Sequence, residues 1–324
     1  MMAQTVLVTG GSGFLGAALV TKLLHAGWNV RVLDDNSRGR PRRLARVIGD
    51  IEFIAGDVRN ADDVDKATRG VDAVAHLAFV NGTEFFYSKP KLVLEVGVKG
   101  ALNTLEACLR HDVPRYWLMS SSEVYQTPPT VPTDEAVPMS IPDPLNPRYS
   151  YGGGKLISEL LAINYGRERF EQVVVVRPHN VYGPDMGYEH VIPQFIGRVQ
   201  TLCQQSAGSH ISLPIKGDGR QTRSFVYVDD FTDGCALSFT KGEHLNIYHV
   251  GTTDEVSVAE LAHKVAASFG RTATIVPGEA PAGETSRRCP DIRKIAGLGY
   301  RPSVTLETGL DRTREWYVAN PNEA

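Results

Sequence analysis

The segment Thr9-Gly10-Gly11-Ser12-Gly13-Phe14-Leu15-Gly16 constrains the fold of this chain more than any other. It follows a short β-rich apolar run, TVLVT at residues 5–9, and opens a helical pattern with Leu15, Leu19 and Leu23 on related faces. A G-x-x-G-x-x-G turn between a strand and a helix suits a pyrophosphate. Glycines let the backbone turn tightly and approach the ligand, and the free N–H groups of the helix N-terminus receive it. Gly10, Gly13, Phe14, Leu15 and Gly16 are therefore expected to form a dinucleotide cradle.

The alternation continues. Strands are expected at 30–33, 51–54, 72–77, 115–119 and 172–176, with helical patterns between them, notably over 90–111 and 151–169. Strands alternating with helices predict an α/β fold, a doubly wound parallel Rossmann sheet with right-handed crossovers. After about Pro178 the alternation gives way to loops and shorter elements near 224–228, 247–250, 257–269 and 306–317. Residues 1–180 thus read as an NAD-binding Rossmann domain and 181–324 as a smaller C-terminal substrate-binding lobe. The 247–250 segment is placed to return to the main sheet.

Composition removes several classes. Lys plus Arg number 34 against 37 Asp plus Glu, a net charge of −3, which argues against a general nucleic-acid binder. No apolar run approaches the roughly 18–20 residues of a membrane helix, and the first residues lack a basic signal region. Cys108, Cys203, Cys235 and Cys289 lie far apart with no C-x-x-C pair. They read as reduced thiols of a cytoplasmic protein, with neither a disulfide frame nor a metal site.

Three further motifs carry chemistry. Asp34 ends the second expected strand, 18 positions after Gly16. A carboxylate there accepts the adenosine ribose hydroxyls and repels a 2′-phosphate, which favours NAD over NADP. Arg38, Arg40, Arg42 and Arg43 lie just beyond and pull the other way. Asp57 and Val58 are placed to contact adenine. Tyr151 and Lys155 share one helix face, where an ammonium beside a phenol makes the phenol a usable base. Ser120-Ser121-Ser122-Glu123-Val124-Tyr125 ends the fifth strand, at the sheet edge where ligands bind.

These motifs, in this order, resemble the extended short-chain dehydrogenase/reductase family, the NAD-dependent nucleotide-sugar epimerases and dehydratases. The resemblance spans nearly the whole chain. It includes His76-Leu77-Ala78, Arg177-Pro178-His179-Asn180-Val181-Tyr182-Gly183-Pro184, Val191-Ile192-Pro193, and GDGRQTRSFVYVDD at 217–230. It implies that Tyr151 removes a sugar hydroxyl proton, that Lys155 holds the nicotinamide ribose and tunes the tyrosine, and that Ser121 assists. It implies cofactor contacts at Leu77 and Ala78, and contacts to a nucleotide diphosphate sugar from Asn180 and Arg223. A second arginine, Arg287 or Arg288, is expected to join Arg223, with Asp291 nearby. A homodimer through a four-helix bundle, built from the helices at 90–111 and from Tyr151 onward, is also implied.

The chain departs from the family pattern at Phe79 (usually small), Gly97 (often asparagine), Gln126 (usually glycine) and His179 (usually phenylalanine). Members oxidise the sugar at C4 and then diverge. Epimerases return the hydride to the other face, 4,6-dehydratases eliminate water, and decarboxylases lose CO₂. Ser122-Glu123 resembles dehydratases and decarboxylases, yet the acid that dehydratases carry at the Ser122 position is absent. An epimerase is the reading preferred here. A 4,6-dehydratase using Glu123 at C5, a uronate decarboxylase, and a non-catalytic NAD- or nucleotide-sugar-binding regulator stand as alternatives.

Overall fold

The computed structural model describes residues 3–206, 208–279 and 285–321. The strand β1 (Thr5–Thr9) ends at Gly10, and α1 (Phe14–His25) begins after the glycine turn, burying Ala17, Leu19, Val20 and Leu23. Gly27, in the left-handed region at φ 88°, ends that helix and releases β2 (Asn29–Asp34). There follow β3 (Ile51–Ala55), α2 (Ala61–Thr68) and β4 (Ala73–His76). The Asn60 side chain caps α2 by accepting from the Asp62 N–H.

The helix expected over 90–111 forms, with a π turn inside it. After α3 (Thr83–Ser88), the chain forms α4 (Pro90–Leu94), a π-helical turn at Glu95–Lys99, and α5 (Gly100–Arg110). Gly97 sits in that turn against the Phe79 ring, which would lie 2.2 Å from a Cβ there. Next come β5 (Arg115–Met119), α6 (Ser150–Gly166) and β6 (Gln172–Pro178).

The second half begins with β7 (Val181–Tyr182), α7 (Val191–Gln205), β8 (His210–Pro214), β9 (Thr222–Ser224) and β10 (Val226–Tyr227). It continues with α8 (Val228–Lys241), β11 (Asn246–Val250), β12 (Glu255–Ser257) and α9 (Val258–Ser268). It closes with β13 (Thr272–Val276), β14 (Arg287–Arg288), α10 (Arg293–Gly297) and α11 (Leu306–Ala319).

The main sheet has seven strands in the order β11-β6-β5-β4-β1-β2-β3, all parallel. The order reverses between β1 and β4, where Thr9 pairs with His76. Crossovers leave this point in opposite directions, so a crevice opens at the carboxyl ends of these two strands. The strand at 246–250 does return to the sheet, beside β6. Phe231, Cys235 and Phe239 of α8 join Val6, Leu19 and Val176 in one core. The Rossmann layer therefore draws on both sides of residue 180. A second core gathers Ile192, Phe195, Leu213, Leu261, Val265 and Leu310, with Phe14 and Leu15 of α1 packed against it. Burying each such side chain contributes roughly 1.5–3 kcal/mol, so the lobe is seated on the helix that follows the glycine turn. The loop at 127–147 straps the halves together: the Thr133 N–H donates to the Cys289 carbonyl at 2.8 Å, and the Asp291 N–H to the Thr133 carbonyl at 2.7 Å.

Among the described residues no helix is long and apolar enough to cross a membrane, and no group of three or more His, Cys, Asp or Glu could hold a metal ion.

Candidate active site

A single elongated cavity runs from the glycine turn to β14. At one end the wall is backbone. Gly10 has φ 72°, and a Cβ there would meet the Ala78 backbone at 2.8 Å. A Cβ on Gly16 would lie 2.1 Å from the Gly10 carbonyl oxygen. Gly13 caps α1 without a side-chain hydrogen bond, so no side chain fills the start of the helix. Gly10, Gly13, Phe14, Leu15 and Gly16 all line the cavity, as do Asp57, Val58, Leu77 and Ala78. Thr9 Oγ1 accepts from the N–H groups of Leu77 and Ala78 at 3.2 and 3.3 Å, which ties the turn after β4 to β1.

Asp34 lies at the end of β2 on the same cavity. Its Oδ2 accepts from the Ser12 N–H and its Oδ1 from the Asn36 N–H, each at 2.9 Å, so the carboxylate is fixed in place. Three of the neighbouring arginines are paired with acids. Arg42 and Arg43 reach Asp185 Oδ1 at 2.8 and 3.0 Å, and Arg38 reaches Glu189 at 3.2 Å. Asp57 is paired with Arg59 at 2.5 Å, which holds its carboxyl below the usual range. A cradle that a Cβ would fill, with an oriented carboxylate at the ribose position, fits NAD.

Tyr151 and Lys155 sit on the cavity-facing side of α6, both buried. The Lys155 Nζ donates to the Met119 carbonyl at 2.6 Å. Burial pushes its pKa down to about 7, against the pull of Glu159. Burial pushes Tyr151 up, while a hydrogen bond with Ser121 lowers it and Glu123 raises it. Ser121 also caps the turn that follows β5, accepting from the Glu123 N–H at 3.2 Å. Ser121, Ser122 and Glu123 all line the cavity.

Glu123 is gripped by Arg288, Nη1 on Oε1 and Nη2 on Oε2, the latter at 3.2 Å. Burial raises the Glu123 pKa, but Arg288, with Arg148 and Arg223 behind it, overrides burial and holds the carboxyl below its ordinary value. Strand register decides between the two adjacent arginines. Arg288 pairs with Arg223 across β14 and β9, and Arg287 pairs with Thr222. Side chains alternate along a strand, so Arg288 faces the cavity and Arg287 does not. Arg287 is exposed and reaches Glu255 at 2.5 Å. Arg223 shares the face of Arg288 but does not itself line the cavity; it donates to the carbonyls of Thr222 and Thr285 at 2.8 and 2.7 Å. Of the two expected alternatives, Arg287 or Arg288, it is Arg288 that stands at the cavity wall, while Arg223, expected beside it, lies on the same strand face without lining the cavity. Asn180 lines the cavity, at φ 40°, and donates to the Ser224 carbonyl at 3.0 Å.

The site also rests on residues that the motifs do not contain, Glu159 and Phe86 among them. Beneath it, Arg177 and Glu159 form a pair at 2.6 Å, each side chain 2% exposed. Ser120 donates to the same carboxylate and Arg177 to the Tyr125 hydroxyl, so β5, α6 and β6 are locked together. Phe86 stacks on Tyr151 at 4.9 Å, and Phe79 meets it edge-on at 5.1 Å. Glycines of the Gly152-Gly153-Gly154 run make room for two of the departures. A Cβ on Gly152 would come 2.5 Å from the Gln126 side chain, and one on Gly154 would come 3.0 Å from Phe79. Gln126 itself takes the left-handed φ of 52° that glycine would favour. His179 is buried edge-on to His249 at 4.7 Å.

Similarity to known proteins agrees with this geometry. The chain is 32% identical over 310 residues to UDP-glucuronic acid decarboxylase 1 of Arabidopsis thaliana, covering 95% of this chain and 68% of that protein. It is 31% identical to a putative UDP-glucose 4-epimerase of Methanocaldococcus jannaschii, covering 97% and 99%. The crystal structure of DesIV, a dTDP-glucose 4,6-dehydratase of Streptomyces venezuelae solved with NAD and TYD bound, superposes with a TM-score of 0.85 at 32% identity, covering 98% of each chain. The profile of the NAD dependent epimerase/dehydratase family matches residues 6–251. With the glycine cradle, Asp34 and the Tyr151–Lys155 helix all inside that span, the chain belongs to the NAD dependent epimerase/dehydratase family.

Proposed function

We propose that the chain is a nucleotide-sugar epimerase that inverts a secondary alcohol of the sugar through a transient 4-keto form. The turn at 10–16, Asp34, Asp57, Val58, Leu77, Ala78 and Lys155 would hold NAD. When bound, NAD supplies a hydride acceptor that later serves as donor. Tyr151, as its phenolate, is the group we assign to take the C4 hydroxyl proton, with Ser121 as its hydrogen-bond partner. Asn180, on the cavity wall, suits the diphosphate of the substrate, while Arg288 is engaged with Glu123.

The Glu123–Arg288 pair carries the choice of reaction. Expelling water from C6 requires a proton donor, and a carboxylate held ionised by a guanidinium is a poor one. Its neighbour Ser122 is a weak acid. Decarboxylation would bring a substrate carboxylate up to Glu123, and like charges in one cavity repel. Oxidation and reduction at one carbon need neither. A second reading, the 4,6-dehydratase, draws support from the same residue, since an ionised Glu123 on the cavity wall is in the right state to take a C5 proton.

Incubation with UDP-, dTDP-, GDP- and CDP-hexoses and with UDP-glucuronate, followed by mass spectrometry, separates these. A new isomer of unchanged mass is expected. Loss of water would favour the second reading, and loss of CO₂ would overturn both. We further infer a homodimer through α4 and α6. These helices pack side by side and leave Leu94, Ile157 and Leu160 at 38%, 39% and 50% exposure. Sedimentation at micromolar protein tests this.

A further inference from the structure

Two departures from the family pattern, Phe79 and Gly97, meet at one point. The Phe79 ring lies with its centroid 4.0 Å from the Lys155 Nζ. Its far edge occupies the space that side chains at 97 and 154 would take, with its Cζ 2.2 Å and 3.0 Å from the two hypothetical Cβ atoms. Glycine in a helix costs about 1 kcal/mol against alanine, so both positions carry a cost that the Phe79 ring explains. The Lys155 ammonium is 3% exposed. Among the described residues its one hydrogen bond is to the Met119 carbonyl of β5. Around it stand Tyr151 and Glu159 from its own helix and His76 from β4. His76 brings no positive charge, because burial, with Lys155 adding to it, pushes its pKa down to about 3.

We propose that Phe79 is a positioning residue: its π face holds the Lys155 ammonium beside Tyr151, in a slot that Gly97 and Gly154 keep open. A ring quadrupole attracts a cation most strongly where water is excluded, and this ammonium has few other partners. The ring also meets Tyr151 edge-on, so one side chain fixes both members of the pair. The proposal rests on the reading that Lys155 works with Tyr151, but its test does not pass through activity.

The test is the Lys155 pKa in the free protein, followed through its ¹³Cε resonance in lysine-labelled samples and assigned with Lys155→Arg. Phe79→Leu, which keeps an apolar side chain and removes the π face, is expected to lower that pKa by roughly half a unit to one and a half units. Gly97→Ala, which displaces the ring, is expected to give a similar fall, and the double variant no more than either alone. An unchanged or higher pKa in Phe79→Leu would overturn the proposal, because relief of burial raises a lysine's pKa. Additive shifts would overturn the shared slot. If Gly97→Ala fails to fold, Phe79→Leu decides alone. Should Lys155→Met retain full turnover, the catalytic reading fails while the pKa result still stands or falls by itself.

Discussion

The two ends of the cavity are built on different principles. The end at residues 10–16 is one contiguous stretch in which backbone is the working surface, and its side chains matter mainly by being absent. The opposite end is made of side chains from 79–86, 120–123, 151–155 and 288, brought together by the two crossovers that flank β5 and by a strand pair. A backbone site tolerates no added atom but asks little of its surroundings. A side-chain site depends on register, burial and the charges behind it.

That contrast can be broken in several ways. Tyr151→Phe removes one hydroxyl from the side-chain end. It should lower turnover by roughly 10²–10⁴-fold with NAD binding and melting temperature near those of the parent; retained turnover would remove Tyr151 from the chemistry. Glu159→Ala leaves Arg177 buried without its partner. It should cost about 3–5 kcal/mol of stability in urea unfolding, and a loss below 1 kcal/mol would mean the floor is not held as described. Gly16→Ala puts a methyl 2.1 Å from the Gly10 carbonyl. The strain should be about 1–3 kcal/mol, and NAD affinity by calorimetry should fall more than nucleotide-sugar affinity.

Smaller effects separate the adjacent arginines. Glu123 has a lowered pKa in the fold, so its contribution to stability is present above the ordinary carboxylate range and is lost as pH falls through the lowered value. In Arg288→Gln burial acts without that opposition. The acid limb of melting temperature against pH should then move to higher pH, and an unmoved limb would mean Arg288 does not govern Glu123. Arg287→Ala, on the other face of the strand, should leave the KM for nucleotide sugar unchanged; a large rise would refute the register argument.

Legibility in the sequence follows the same division. The glycine turn, Asp34 and the six strands of the first half could be read because each is local: a motif, a strand end, an apolar run. The helix α8 escaped notice. Thr232, Gly234, Ser238 and Thr240 are weak helix formers, and what holds the segment is burial of Phe231, Cys235 and Phe239 against a sheet made elsewhere. The choice between Arg287 and Arg288 depends on pairing with β9, which no pattern within two residues reveals. Phe79 and Gly97 each stand out as departures, but their contact, made inside the π turn, is a tertiary fact. Glu159 reads as an ordinary helix residue, and the motif that begins at Arg177 does not reveal that the two are paired and buried.

In the proposed reaction one sugar carbon is oxidised and reduced in place. Turnover of UDP-, dTDP-, GDP- and CDP-hexoses deuterated at C4 reads this out. A C4-inverted product of unchanged mass with the deuterium still on C4 is expected. Deuterium at C6 with loss of water, or its release to solvent, would contradict it.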